Sequence, residues 1–549
     1  MRSLSRFLGG VKLPGQKQMS TQLPVEKAAV PRELVLPMQQ HIGKPAEPIV
    51  AVGDKVLKGQ KIARAVDYIS APIHAPTSGV VIAIEARSVP HPSGMTALCI
   101  VIESDGEDRW CELTPHEQDF RNLDPSALRN LVREAGIVGL GGAGFPSYVK
   151  LNPGPDRVIE TLIINGAECE PYITCDDMLM RERADEVIAG IGIIRHAVQA
   201  REVVIAIEDN KPQAREAIEK AIATANVSFD VVSVPTIYPA GGEKQLIHTV
   251  TGKVVPANGL PAHVGVVCQN VGTSAAIYRA IMLGEPLISR YVTVAGDVTQ
   301  PRNLEVLFGT PLKDLISQAG DATDNLRRLI VGGPMMGFAM HSDLVPVIKT
   351  SNCLLVDCGK TQVLSESAYV MPCIRCGNCA EVCPVNLLPQ QLYWYSRGEE
   401  YERLLEFDLF DCIECGCCDY VCPSRIPLVQ YFRFAKAEVW HREGERKKSD
   451  IARQRHEFRQ LRLEREKLER SAKHKKRMAA LKTDEPKAEQ EKTAEDPKKA
   501  AILAAMERVK AKKAAQSVMP KNTENLTDAQ QRQIAEAEQR RTQAESEKD

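Results

Sequence analysis

Apolar and polar positions change rhythm several times along the chain. Between about residues 24 and 103, short apolar runs at 49–52, 55–57 and 80–82 are cut by Gly53-Asp54, Lys58-Gly59-Gln60 and Pro76-Thr77-Ser78-Gly79. Strands separated by turns at this density predict a small β-barrel or sandwich, because Gly, Pro and Asp sit where the chain must reverse. From 125 to 285 the rhythm alternates. Apolar runs at 158–164 and 203–207 are interleaved with helical periods at 127–135, 178–200 and 212–225. Strand followed by helix, repeated, predicts a largely parallel sheet with ligand loops at the strand ends. From 290 to 345 short strands return around one helix at 311–318. Past Trp440 almost everything is Lys, Arg, Glu, Gln or Ala, which predicts isolated helix or disorder, because such a segment buries too little apolar area to offset chain entropy.

With 549 residues the chain is too long for one core and is expected to divide into three or four domains. The formal net charge of -1 gives no bulk attraction to nucleic acid. No stretch approaches the roughly twenty apolar residues of a membrane span. The first 17 residues are basic but lack the apolar centre of a secretory signal, so a reducing cytoplasm is expected. In the tail, Ile502, Leu503, Met506 and Val509 recur at helical spacing beside Lys498, Lys499, Lys510, Lys512 and Lys513. This is either a basic amphipathic surface helix or a solvated charged one, and composition favours the second.

The cysteines change the picture most. Of sixteen, eight form two copies of one spacing: Cys373, Cys376, Cys379, Cys383-Pro384 and Cys412, Cys415, Cys418, Cys422-Pro423. In CxxCxxCxxxCP runs, three thiolates hold one 4Fe-4S cluster and the fourth holds the other. The expected sets are therefore Cys373, Cys376, Cys379 and Cys422 for one cluster, and Cys412, Cys415, Cys418 and Cys383 for the second. Zinc usually takes CxxC pairs joined by a longer loop, and disulfides need an oxidising compartment. Cys417, beside Cys418, could replace it, but only Cys418 keeps the register of the first run. Cys99, Cys111, Cys169, Cys175, Cys268, Cys353 and Cys358 have no ligand spacing and read as core.

A second run is Gly139-Leu140-Gly141-Gly142-Ala143-Gly144-Phe145-Pro146. Glycines in a GxGxxG pattern let backbone N–H groups approach a pyrophosphate, although the pattern alone is weak and here follows a helix-like stretch rather than a strand. Lys150 can supply a positive charge to a phosphate. Asn165 and Glu168, after the apolar run ending at Ile164, can bond a ribityl or ribose hydroxyl. Gly241-Gly242-Glu243-Lys244 and Gln269-Asn270-Val271-Gly272-Thr273 add further polar loops; each by itself reads as a turn.

Taken in order, GGAGFP with Lys150, NGAECEP, GGEK and NVGT resemble the flavoprotein subunit of the NADH-oxidising module of respiratory complex I over about residues 130–345. The resemblance implies that Gly139, Gly141, Gly142, Gly144, Lys150, Asn165, Glu168, Glu243 and Asn270 line FMN. It also implies that Phe145 stacks on the nicotinamide nucleotide and that Glu170 sits near hydride transfer. Lys244 stands where that family has a second glutamate, which reverses the charge near the bound nucleotide. The run from Val52 to Val81 resembles the barrel-sandwich of biotinyl and lipoyl domains, but 63–74 contains no lysine to modify, so a scaffold is expected. The segment from Val292 to Ile316 resembles a soluble-ligand-binding β-grasp module.

The whole arrangement resembles the RnfC/RsxC family of the Rnf (Rsx) electron transport complex. This implies a multidomain α/β and α+β fold: an N-terminal barrel-sandwich at 1–124, an α/β flavin/NAD-binding core at 125–285, a β-grasp at 286–350, a helical ferredoxin-like dicluster domain at 351–435 and a charged tail at 436–549. It further implies a peripheral subunit on the cytoplasmic side of the bacterial inner membrane. Its cofactors would be FMN and two 4Fe-4S clusters, and its partners NAD(H), the other members of the complex and a ferredoxin-like carrier. The competing expectations are a cluster-holding relay that binds no nucleotide, and a zinc scaffold.

Overall fold

The computed structural model describes residues 3–116, 119–154, 157–361, 369–482, 504–505 and 507–508. The chain forms two units, Met1–Lys448 and Ser449–Asp549.

The first unit opens with the barrel-sandwich. One antiparallel sheet runs in the order Lys55–Val56, Gly79–Ser88, Thr96–Ser104, Glu33–Pro37, and a second in the order Glu47–Pro48, Lys61–Arg64, Ile73–His74. Leu36, Ile62, Ile73, Val81, Ile100 and Ile102 fill the space between them. The apolar run at 49–52 forms no strand. Ile49 and Val52 are exposed, and the chain turns at 52–53.

Four parallel strands follow, in the order Asp230–Val234, Glu202–Glu208, Thr161–Gly166, Val266–Asn270. Both faces are covered, which is why the sequence runs are continuously apolar rather than alternating. Leu162, Ile164, Val203, Ile205 and Val267 belong to one core, while Ile163, Val204, Val266 and Cys268 belong to another on the opposite face. Each such fully buried side chain contributes about 1.5–3 kcal/mol. Strand order reverses between Thr161–Gly166 and Val266–Asn270, and the crevice beyond the carboxyl ends of such strands is where ligands bind in this architecture. Asn165 and Asn270 are register partners at that point.

The helical period at 178–200 is two helices, Cys175–Glu182 and Ala184–Val198, broken at Arg183, where φ is -131° and ψ is 38°. Arg183 is turned out of helical register to reach Glu305 at 2.7 Å. That carboxylate lies on a strand of the next sheet, a contact that local periodicity cannot contain.

That sheet has six strands, in the order Glu26–Lys27, Arg302–Leu307, Ser289–Gly296, Cys353–Asp357, Arg328–Val331, Phe338–Met340. Cys353–Asp357 lies inside it, parallel to Ser289–Gly296. The β-grasp sheet therefore extends past residue 350, where the sequence reading closed it. The cause is tertiary, since 353–357 is a short, fully buried apolar run that pairs with a strand far back in the chain.

The dicluster region packs short helices, among them Pro389–Arg397 and Tyr401–Glu406, around Leu392, Leu404, Phe432 and Val439. Val439 places the edge of this core beyond residue 435. The last helix, Leu428–Lys482, starts in that core. From 451 to 479 every side chain is exposed. Ile502, Leu503, Met506 and Val509 lie outside the described residues.

Candidate functional site

A cavity of about 600 Å³ opens at the strand reversal. Gly139, Gly141, Gly142, Gly144, Phe145, Lys150, Asn165, Glu168, Glu170, Glu243 and Asn270 all line it. The glycine loop reaches this wall because each end is held. Gly139 N donates to Phe145 O at 2.8 Å, Leu140 N to Thr273 Oγ1 at 2.9 Å, and Arg290 Nη2 to Leu140 O at 2.9 Å. Gly142 and Gly144 take φ of +116° and +64°, conformations that side-chain-bearing residues rarely adopt, and nothing lies within 4 Å of where a Cβ on Gly142 would stand. Gly141, Gly142 and Ala143 are thus an exposed turn of backbone, with room over Gly142.

Several expected ligand groups have protein partners. Asn165 Nδ2 donates to Gly241 O at 2.9 Å. Asn270 caps the helix Val271–Tyr278 through Gly272 N at 2.8 Å, and donates to Asp176 Oδ2 at 2.6 Å. The Glu168 carboxylate accepts from Asp176 N at 2.6 Å at the start of the next helix, and burial pushes its pKa up to about 7. Glu170 Oε1 accepts from Met335 N and Met336 N at 2.6 and 3.0 Å, and burial raises its pKa too. Lys150 pairs with Glu243 at 2.8 Å; burial opposes the charge, but Glu243 and Cys268 outweigh it, so the pKa is raised. Lys244 also lines the cavity, with its ammonium 3.9 Å from Asp411 beside the second cysteine run.

Sequence reasoning passed over three residues. Gln245 Oε1 and Gln269 Nε2 are buried, lie on the cavity-lining side chains and have no partner among the described residues. Gln269 ends the strand beside Asn270, a position that could have marked it. Lys17, by contrast, carried no signal: its Nζ donates to the carbonyls of Glu168, Glu170 and Ile173 at 2.7, 3.0 and 2.7 Å.

The eight cysteines separate into two sets. Cys373, Cys376, Cys379 and Cys422 line one cavity of about 490 Å³. Cys383, Cys412, Cys415 and Cys418 line another, with Cys417 beside them and fully buried. The two runs repeat their backbone. Arg375 and Glu414, Gly377 and Gly416, and Asn386 and Arg425 all have positive φ, at the same offset that separates Cys373 from Cys412. Among the described residues, the one group of three metal-binding side chains with ligand atoms within 4.8 Å of each other is Glu168, Cys175 and Asp176. No three thiols of either set, all of them described residues, therefore have their sulfurs within 4.8 Å of one another, whereas four sulfurs around a single zinc would stand roughly 3.8 Å apart. Burial pushes the Cys412 thiol up to about 11, and a bound cation would displace such a proton. Lys436 Nζ holds this loop from the last helix, donating to Cys412 O at 2.7 Å and Glu414 Oε1 at 2.8 Å.

The two kinds of site meet. Ile413 and Cys415 form part of the wall of the 600 Å³ cavity, and Tyr238, on the same wall, donates its hydroxyl to Cys415 O at 2.7 Å. Cys376, of the other set, is exposed.

These features fit FMN and paired clusters. The turn of bare backbone suits a phosphate, the unpartnered Gln245 Oε1 and Gln269 Nε2 suit a polar ring edge, and the thiol sets are four and four. Comparison with known proteins agrees with this. Residues 5–107 match the RnfC barrel sandwich hybrid domain, 132–279 the Nuo51 FMN-binding domain, 291–339 the SLBB domain and 372–426 the 4Fe-4S dicluster domain. The chain is 50% identical over 473 residues to the C subunit of the ion-translocating oxidoreductase complex of Pseudomonas aeruginosa, covering 86% of this chain and 60% of that protein. It is 49% identical over 510 residues to the Vibrio cholerae counterpart, covering 92% and 64%. It is 45% identical over 525 residues to that of Pectobacterium atrosepticum, covering 95% and 73%. It thus spans less than two thirds of the first two relatives. A solved NAD+-reducing NiFe hydrogenase aligns with a TM-score of 0.43 at 22% identity, over 59% of this chain and 64% of that one.

Proposed function

This chain belongs to the family of ion-translocating oxidoreductase complex C subunits, and from that premise we propose that it exchanges electrons between NAD(H), FMN and two 4Fe-4S clusters. In this reading it is the peripheral subunit of a ferredoxin:NAD oxidoreductase on the cytoplasmic face of a bacterial inner membrane. The carrying observation is the single cavity whose wall runs from the glycine loop to Cys415. No described helix is long and apolar enough to cross a membrane, and we assign ion translocation to partner subunits.

A flavin bound in the cavity supplies the conversion between a hydride's two electrons and single electrons. The chain's own residues do the rest. With Gly139 and Leu140 N–H bonded within the protein, the 141–144 stretch presents its backbone to the phosphate, with Lys150 as the nearby cation and Glu243 holding that cation in place. Phe145 offers a ring face to the nicotinamide. Glu170, fixed by Met335 N and Met336 N, sets the polar edge beside hydride transfer. Asn165, Glu168 and Asn270 hold the strand-end loops in position through their bonds to Gly241, Asp176 and the 271–278 helix, so their part is largely to shape the cavity. Cys412, Cys415, Cys418 and Cys383 would hold one cluster, on the side where Cys415 meets the cavity wall. Cys373, Cys376, Cys379 and Cys422 would hold the other, where exposed Cys376 would leave it open to a ferredoxin-like carrier or another member of the complex.

The test is the anaerobically purified protein, denatured and assayed for released FMN and for iron. One FMN and about eight irons per chain are expected, four for each cluster. Full iron without flavin would leave a relay subunit and end the catalytic reading.

A further inference from the structure

The N-terminal segment lies along the seam between the flavin cavity and the inner thiol set, and the reading above assigns it no role. Ser5 N donates to Thr249 O at 2.9 Å and Gly10 N to Val382 O at 2.9 Å. Val11 and Tyr238 exchange both backbone bonds, at 2.8 and 2.9 Å, and Gly15 O accepts from Tyr172 N at 2.8 Å. Lys17 then places its ammonium on three carbonyls of the loop that carries Glu168 and Glu170.

These bonds fall on separate bodies whose register sets the gap an electron must cross. One is the helix that starts at Glu243. Another is the loop of Val382 and the ligand Cys383. A third is Tyr238, which also bonds the carbonyl of Cys415. The last is the loop at 168–173. The approach is close: a Cβ on Gly9 would lie 2.6 Å from Val382 O and 2.7 Å from Cys383 O. Lys17 spends all three of its donors on backbone carbonyls. A lysine serving only to cover apolar surface would send its ammonium to water. Here it ties down a stretch of backbone that has no sheet or helix of its own.

Resting on the proposed function, we propose that residues 5–20 form a strap that fixes the spacing between the flavin cavity and the cluster held by Cys412, Cys415, Cys418 and Cys383, with Lys17 as its positioning residue. Without the strap the two halves would still form, but the 168–173 loop and the Cys383 loop would drift relative to each other.

The test uses the full-length, anaerobically purified protein with Lys17→Met, Lys17→Arg and Gly9→Ala. Flavin and iron content are measured first. Flavin and cluster bleaching are then followed separately after rapid mixing with NADH, and amide hydrogen exchange is read at 168–173 and 382–383. Lys17→Met and Gly9→Ala should keep both cofactors and the wild-type rate of flavin bleaching. Cluster bleaching should slow severalfold, because electron transfer between cofactors falls off steeply as the gap between them widens. Exchange should speed up in both segments, and Lys17→Arg should recover most of the rate. Wild-type cluster bleaching in both disruptive variants overturns the strap. So does loss of flavin in Lys17→Met with Gly9→Ala normal, which would put Lys17 in the cofactor cradle. If Lys17→Met does not fold, Gly9→Ala at the other end of the strap decides. Should the wild type itself hold no flavin, the functional reading falls, and the exchange data judge the strap alone: unchanged exchange in both segments sinks it.

Discussion

Replacing Gly144 by alanine strains the 139–144 loop at one atom. Gly144 has φ of +64°, and a Cβ there would stand 2.4 Å from Thr350 Cγ2 and 3.4 Å from His41 Cα. The left-handed conformation costs a side-chain-bearing residue about 1–2 kcal/mol. Thr350 is β-branched and stiff, so relieving the overlap adds about 1–3 kcal/mol. The total of about 2–5 kcal/mol is a large share of the roughly 5–15 kcal/mol that holds a domain folded. The chain's cheaper escape is to shift the loop, and because Thr350 also lines the cavity, that shift distorts the proposed flavin cradle. Gly141 is the control. A Cβ there would meet Asn270 at 3.5 Å, an ordinary contact, so Gly141→Ala should fold as the wild type does. Gly141→Val should also fold while filling the space meant for flavin. Urea unfolding measures the first effect, and flavin released on denaturation measures the second. Gly144→Ala as stable and as flavin-loaded as wild type, or Gly141→Val with full flavin, would show that the loop is not the cradle described above.

Cys379→Ala should lower iron by about half while NADH still bleaches the flavin; unchanged iron would contradict the outer set. Cys417→Ala should retain both clusters and Cys418→Ala should lose the inner one, checked by iron analysis and cluster absorption; the reverse would exchange their roles. Lys349 is fully buried on the carbonyls of Pro72 and Gly136, and burial takes its pKa from 10.5 down to about 7. The unfolded chain therefore holds a proton that the fold sheds, so this lysine's penalty is full below about pH 7 and fades as pH rises toward 10.5. Between roughly pH 6.5 and 8.5 wild type should gain about 2 kcal/mol relative to Lys349→Met in paired denaturant melts. A flat difference would show that the ammonium is not desolvated as the structure has it.

Features that depend on neighbours along the chain were legible before any fold was known. The cysteine spacing, the glycine run, the turn-rich opening and the alternation of strand and helix are local patterns, and the barrel-sandwich, the parallel sheet and the paired thiol sets follow from them. Which separate segments meet is a different matter, visible only once the chain is folded. Arg183 breaks the 178–200 helix to reach Glu305, and 353–357 joins the β-grasp sheet. Gln245 comes to the cavity wall, and Lys17 to the loop that carries Glu168 and Glu170. Cys415, rather than the first cysteine run, stands against that same wall. These contacts are stabilised by burial and by bonds between residues often a hundred or more positions apart, and such contacts leave no periodicity in either partner's own stretch of sequence.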